Sequence, residues 1–111
     1  MRIDVTSTGR VLTKARRADV RRLLLLAMSR FDREVKGVKA RLSESSNPLG
    51  GVDQRCRMQA RLHSGLVLDA EAIDGQVEAA VGRSATRLRL LVSAALDGSA
   101  MRPRSTPATR P

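Results

Sequence analysis

The sequence predicts an α+β protein, a two-layer sandwich of order β-α-β-β-β-α in which two helices cover one face of a four-stranded sheet. Three observations predict it. From Lys36 to Ile73, polar and apolar residues alternate through three segments, the period of strands with one buried face. On either side lie longer stretches whose apolar residues recur at helical spacing. A chain of 111 residues most often holds one domain.

Ile3 and Val5 alternate with Arg2, Asp4 and Thr6 and read as a short first strand, turned by Ser7-Thr8-Gly9. Thr13 suits a helix N-cap, its hydroxyl accepting from an otherwise orphaned backbone N–H. The first helix follows from about Lys14 to about Arg30, burying Val20, Leu24, Ala27 and Phe31 with Leu23 and Met28 beside them. Leu25 and Leu26 fall toward its outer flanks; either they cover more sheet or they mark a self-association surface.

Val38, Ala40 and Leu42 alternate with Lys39 and Arg41 in the second strand. Ser43 to Asp53, rich in Ser, Asn, Pro and Gly, reads as a long loop. The third strand, Gln54 to His63, puts Cys56, Met58, Ala60 and Leu62 on one face and Arg55, Arg57 and Arg61 on the other. Ser64-Gly65 is a turn signal, and the fourth strand points Leu66, Leu68, Ala70 and Ala72 inward. Asp69 and Glu71 then face outward, where they offset the neighbouring arginines. Asp74 suits the N-cap of the second helix, with Glu78 in its first turn and a buried stripe of Val77, Val81, Ser84, Leu88, Leu91 and Ala95. The strand–helix–strand opening makes the first two strands parallel; the rest form an antiparallel meander. The domain spans residues 1–97, and 98–111, with three Pro and three Arg but no apolar period, reads as a disordered basic tail.

Charge points to the partner. Lys and Arg number 21 against 11 Asp and Glu, a formal charge of +10, which favours nucleic acid first and an acidic membrane surface second. Most of the cations are Arg, whose planar fork suits phosphate. With one Phe and no Tyr or Trp, base stacking on aromatic platforms is excluded as a general binding mode. One Cys and one His make neither an internal disulfide nor a zinc cage, so no metal or cofactor is expected. The opening Met1-Arg2-Ile3-Asp4-Val5 has no apolar signal core, and Leu23 to Met28 is too short to span a membrane; a soluble cytoplasmic protein is expected.

No catalytic constellation assembles. His63 reads as an ordinary turn-adjacent residue and Cys56 as a small buried hydrophobe. Asp69 and Glu71 read as salt-bridged surface carboxylates. Asn47-Pro48-Leu49-Gly50-Gly51 joins two strands rather than opening a helix, so it lacks the setting of a phosphate loop. Arg16, Arg17, Arg21 and Arg22 cluster early in the first helix, and Arg83, Arg87 and Arg89 lie on the second. Packed side by side, the helices would merge their outer faces into one basic surface that contacts phosphates without reading bases.

Several local patterns resemble the ribosome hibernation promoting factors, also called ribosome-associated inhibitor proteins, in their short form. Thr13-Lys14-Ala15-Arg16-Arg17 is similar to the family's Thr-x-Ala-x-Arg opening of helix one. Ser29-Arg30-Phe31 with Val35-Lys36-Gly37-Val38 is similar to its helix end and the start of strand two. Gly50-Gly51-Val52-Asp53-Gln54-Arg55-Cys56, Ala60-Arg61-Leu62 and the run from Ile73-Asp74 to Arg83 complete the resemblance, which covers about Met1 to Ala95. It implies a fold like a double-stranded-RNA-binding domain with an extra first strand. It also implies a non-enzymatic function: binding the small ribosomal subunit and its rRNA, and occluding the channel for messenger and transfer RNA. Arg17 matches the helix-one motif, and Arg83 falls where the family carries Lys or Arg. With Arg16, Arg22 and Arg87, they are the candidate rRNA contacts. Leu23 to Leu26 stand where the family usually has Lys or Arg, and pairing of ribosomes through the long form's C-terminal dimerisation domain is not expected. The alternative is a protein–protein module that dimerises or docks through helix one.

Overall fold

The computed structural model describes residues 1–8 and 12–101, with side chains through Asp97. Its elements run β1 (Arg2–Ser7), α1 (Lys14–Met28), a 3-10 turn (Ser29–Phe31), β2 (Val35–Ser46), β3 (Val52–Leu62), β4 (Val67–Asp74) and α2 (Val77–Met101). The sheet order is β1-β2-β3-β4; β1 pairs with β2 in parallel and the other two pairings are antiparallel. This is the α+β two-layer arrangement that the alternation and the two helical stripes predict.

The strand period decides what is buried. Val38, Ala40 and Leu42 on β2, Cys56, Met58, Ala60 and Leu62 on β3, and Ala70 and Ala72 on β4 all turn toward the helices. From α1 come Val20, Leu24 and Met28, with Phe31 from the turn beyond; from α2 come Val77, Ala80, Val81, Ser84, Ala85, Leu88 and Val92. The small residues Ala80, Ser84 and Ala85 let α2 lie close to the sheet. The buried Ser84 hydroxyl donates back to the carbonyls of Ala80 (2.8 Å) and Val81 (3.1 Å), so it leaves no unmet polar group.

Four expectations are corrected in detail. The Ser43–Asp53 stretch is mostly ladder: β2 runs on to Ser46 and β3 starts at Val52. Backbone hydrogen bonds need no apolar side chain, so a serine-rich segment continues a strand that its composition disguises. What remains is a hairpin loop. The Asn47 side chain accepts from Leu49 N (2.9 Å), and Gly50 and Gly51 take φ of 101° and 87°, values that suit glycine. In α2, Leu91 is exposed and Val92 fills the core, because a 3.6-residue helix drifts away from a seven-residue spacing. Leu66 stands exposed before β4 and Leu68 is half-buried. Finally, α2 continues through Met101, past the expected domain end at Asp97; the remainder of the expected tail, 102–111, lies outside the described residues, as does Gly9.

Candidate nucleic-acid interface

The expected cap of α1 is present and that of α2 is displaced. Thr13 Oγ1 accepts from Arg16 N at 3.1 Å, starting α1 where the arginine cluster begins. Asp74 is not the N-cap of α2: the helix begins at Val77, so the cap position is Gln76 and Asp74 stands two residues before it. It ends β4, accepts from Gln76 N (3.0 Å), and takes a second bond from the Arg83 guanidinium (3.2 Å). The Gln76 N–H, followed by Arg83, holds the Asp74 carboxyl below the usual carboxylate range.

The five predicted contact residues fall into two groups. Arg16 bridges the helices, its guanidinium 2.8 Å from Glu78 on α2. Arg17 is exposed, and Arg22 is exposed and pairs loosely with Asp19 at 3.4 Å. On α2, Arg83 and Arg87 lean over β4: Arg83 reaches Asp74, and Arg87 donates to the backbone carbonyl of Glu71. Glu78 and Arg83 are five positions apart, about 140° around a helix, so α2 turns Glu78 toward α1 and its two arginines toward the sheet edge. A shallow depression lined by Ala79, Gly82, Arg83, Thr86 and Arg87 separates those arginines on the outer surface. Each guanidinium carries five donors and uses only part of them internally, so Arg83 and Arg87 are pre-positioned with N–H groups to spare.

The remaining sequence candidates lie apart from one another. Cys56 is fully buried and burial pushes its thiol up, away from the reactive thiolate. His63 is exposed at the β3–β4 turn. Glu71 and Asp69 pair diagonally with Arg55 (2.7 Å) and Arg57 (3.7 Å), the expected salt-bridged open face. Among the described residues no group of three His, Cys, Asp or Glu gathers as a metal site, and no helix is long and apolar enough to cross a membrane. Sequence reasoning passed over Lys39 and Arg41 on β2. The signal was present, a Lys-x-Arg alternation without an acid, but it acquires meaning only from the register, which sets Arg41 opposite Arg57.

The architecture is thus a small mixed four-stranded sheet, covered on one face by two helices bearing arginines. Among solved structures it is similar to a ribosomal subunit interface protein from Coxiella burnetii (18% identity, TM-score 0.72), over 87% of this chain and 99% of that one. It is also similar to the Protein Y N-terminal domain of Thermus thermophilus (22% identity, TM-score 0.61), over 83% of this chain and 96% of that one. These neighbours agree, at the level of the fold, with the family resemblance read from the sequence. No protein-family model matches the chain, and no curated protein matches it in sequence.

Proposed function

We propose that this protein is a ribosome-associated hibernation factor. It binds the small subunit through rRNA phosphates and blocks translation by occupying the channel for messenger and transfer RNA. The observation that carries this reading is the structural likeness, over 87% of this chain, to a ribosomal subunit interface protein. The arginines support it: Arg17, Arg22, Arg83 and Arg87 are exposed on helix surfaces, and Arg16 is half-buried between the helices. They position the domain rather than read sequence, since phosphate contacts carry no base information. The function is steric and non-enzymatic, exerted in the cytoplasm.

Sedimentation with separated ribosomal subunits across a salt series tests it. Co-migration with the small subunit that weakens steeply with salt is the expected result. Protein left at the top of the gradient at low salt would refute it. A second reading, a protein–protein module, is favoured by the exposure of Leu25 (46%) and Leu26 (71%) on α1. It expects a concentration-dependent mass, abolished by Leu26→Lys, and no salt-sensitive binding to ribosomes.

A further inference from the structure

The sheet face turned away from the helices carries more charge than its ion pairs use. Arg2, Lys39, Arg41, Arg55, Arg57 and Arg61 point outward there, against Asp4, Asp53, Asp69 and Glu71. Arg2 pairs with Asp4, Arg55 with Glu71 and Arg57 with Asp69. Lys39, Arg41 and Arg61 have no ion-pair partner among the described residues. The register sharpens the imbalance: Arg41 lies directly opposite Arg57, and Lys39 opposite Gln59. Like charges facing across a ladder destabilise the sheet unless an anion lies between them.

The same residues line a trough. A cleft of about 210 Å³ is bounded by Arg2, Lys36, Gly37, Lys39, Gln59 and Arg61. A second cleft, of about 560 Å³, shares Arg2, Asp4, Lys39 and Gln59 with it and continues to Arg41, Arg57 and Asp69. Gly37 opens its end. It stands between Arg2 and Arg61 in register, so two guanidiniums flank a position with no side chain. A β-carbon there would lie 3.1 Å from the Arg2 carbonyl oxygen.

We infer that this trough is a second phosphodiester-binding surface, taking the backbone of a single-stranded RNA along Lys39, Arg41 and Arg61. Charge excludes the occupants the chain itself offers. Residues 102–111 contain three Arg and no acid, and a second copy docked through the same face would oppose it with an equally basic one. An acidic peptide is the weaker fit, because the trough offers cations at alternate strand positions, roughly 7 Å apart, a spacing that suits a regularly charged backbone. A nucleic-acid strand brings one charge per residue along its whole backbone. With no aromatic on this face, the contact is to the backbone and not to the bases. The inference deepens the ribosome reading by giving the domain RNA contacts on both faces.

The test measures binding of a labelled oligouridylate by fluorescence anisotropy, without ribosomes, so it fails or succeeds separately from that reading. The variant is Lys39→Gln/Arg41→Gln/Arg61→Gln, which breaks no ion pair. The charge-matched control is Lys14→Gln/Arg30→Gln/Arg33→Gln, all exposed and outside the trough. Three lost single-strand contacts lower the log–log salt slope by about 2, so that from roughly 50 to 200 mM salt the wild type loses about 18-fold more affinity than the variant. Slopes that fall equally in both triples, or no oligouridylate binding by the wild type, would overturn the inference. So would trough-dependent binding of polyglutamate in place of RNA, which would assign the face to an acidic protein. If circular dichroism finds the triple variant unfolded, Arg61→Gln alone decides the matter, with a slope change of about 0.7 expected and no change contradicting it.

Discussion

Replacing Arg83 and Arg87 together by Gln separates binding from folding on the helix surface. The structure recommends Gln over a reversed charge, because an acid at position 83 would sit beside Asp74 and one at position 87 beside the Glu71 carbonyl. The folding cost is small. Arg83 gives up one ion pair whose cation is half exposed, and such pairs contribute little. Arg87 gives up one hydrogen bond to backbone, about 1 kcal/mol. A small domain with roughly 5–15 kcal/mol of stability stays folded through that loss. Binding responds more strongly. Two phosphate contacts removed lower the log–log salt slope by about 2. Between roughly 50 and 200 mM salt, the wild type therefore loses about 12-fold more affinity for small subunits than the double variant. The assay is co-sedimentation across the salt series, with thermal melts of both proteins. A variant that melts like the wild type and keeps its full salt slope would refute the assignment of these arginines.

The core and the titratable groups give further expectations. Leu24→Ala, at a fully buried position where α1 meets the sheet, destabilises by about 2–5 kcal/mol in urea unfolding; a change under about 1 kcal/mol would mean that α1 is loosely seated. Cys56 reacts with a thiol reagent only as fast as the protein opens, and full denaturant exposes it at once. Because burial raises that thiol's pKa, its contribution to stability is complete below the ordinary thiol range and declines as pH rises through it. Asp74 has the opposite sign. Its carboxyl is held low, so the stability it contributes is present above the usual carboxylate range and is lost as pH falls through the folded value. Asp74→Asn therefore flattens the acid limb of a stability–pH curve, and an unchanged limb would argue against the Gln76 and Arg83 contacts.

Local chemistry was the legible part of this chain. The Thr13 cap, the β3 alternation through Cys56, Met58, Ala60 and Leu62, and the helical stripe at Val20, Leu24 and Phe31 each follow from one residue's preference or one period. The β2–β3 extension was not legible, since Ser43 to Ser46 carry no apolar signal and are held by backbone pairing to Val52 to Arg55. The exchange of Leu91 for Val92 is a matter of helical phase, which accumulates over the roughly seven turns of α2. The candidate site was legible as a set of arginines but not as an arrangement. That Arg16 turns inward to Glu78 while Arg83 and Arg87 turn to β4 depends on how the helices sit on the sheet. The cations Lys39, Arg41 and Arg61, without an ion-pair partner among the described residues, become visible only when the strand register identifies what lies opposite each one.

Occlusion of the small-subunit channel is tested most directly by competition. Small subunits are loaded with a labelled messenger and transfer RNA, the protein is titrated in, and the RNA retained is measured by filter binding. The account predicts stoichiometric release of both RNAs by the wild type and weaker release by Arg83→Gln/Arg87→Gln. Co-occupancy, with the protein bound and both RNAs retained, would contradict it.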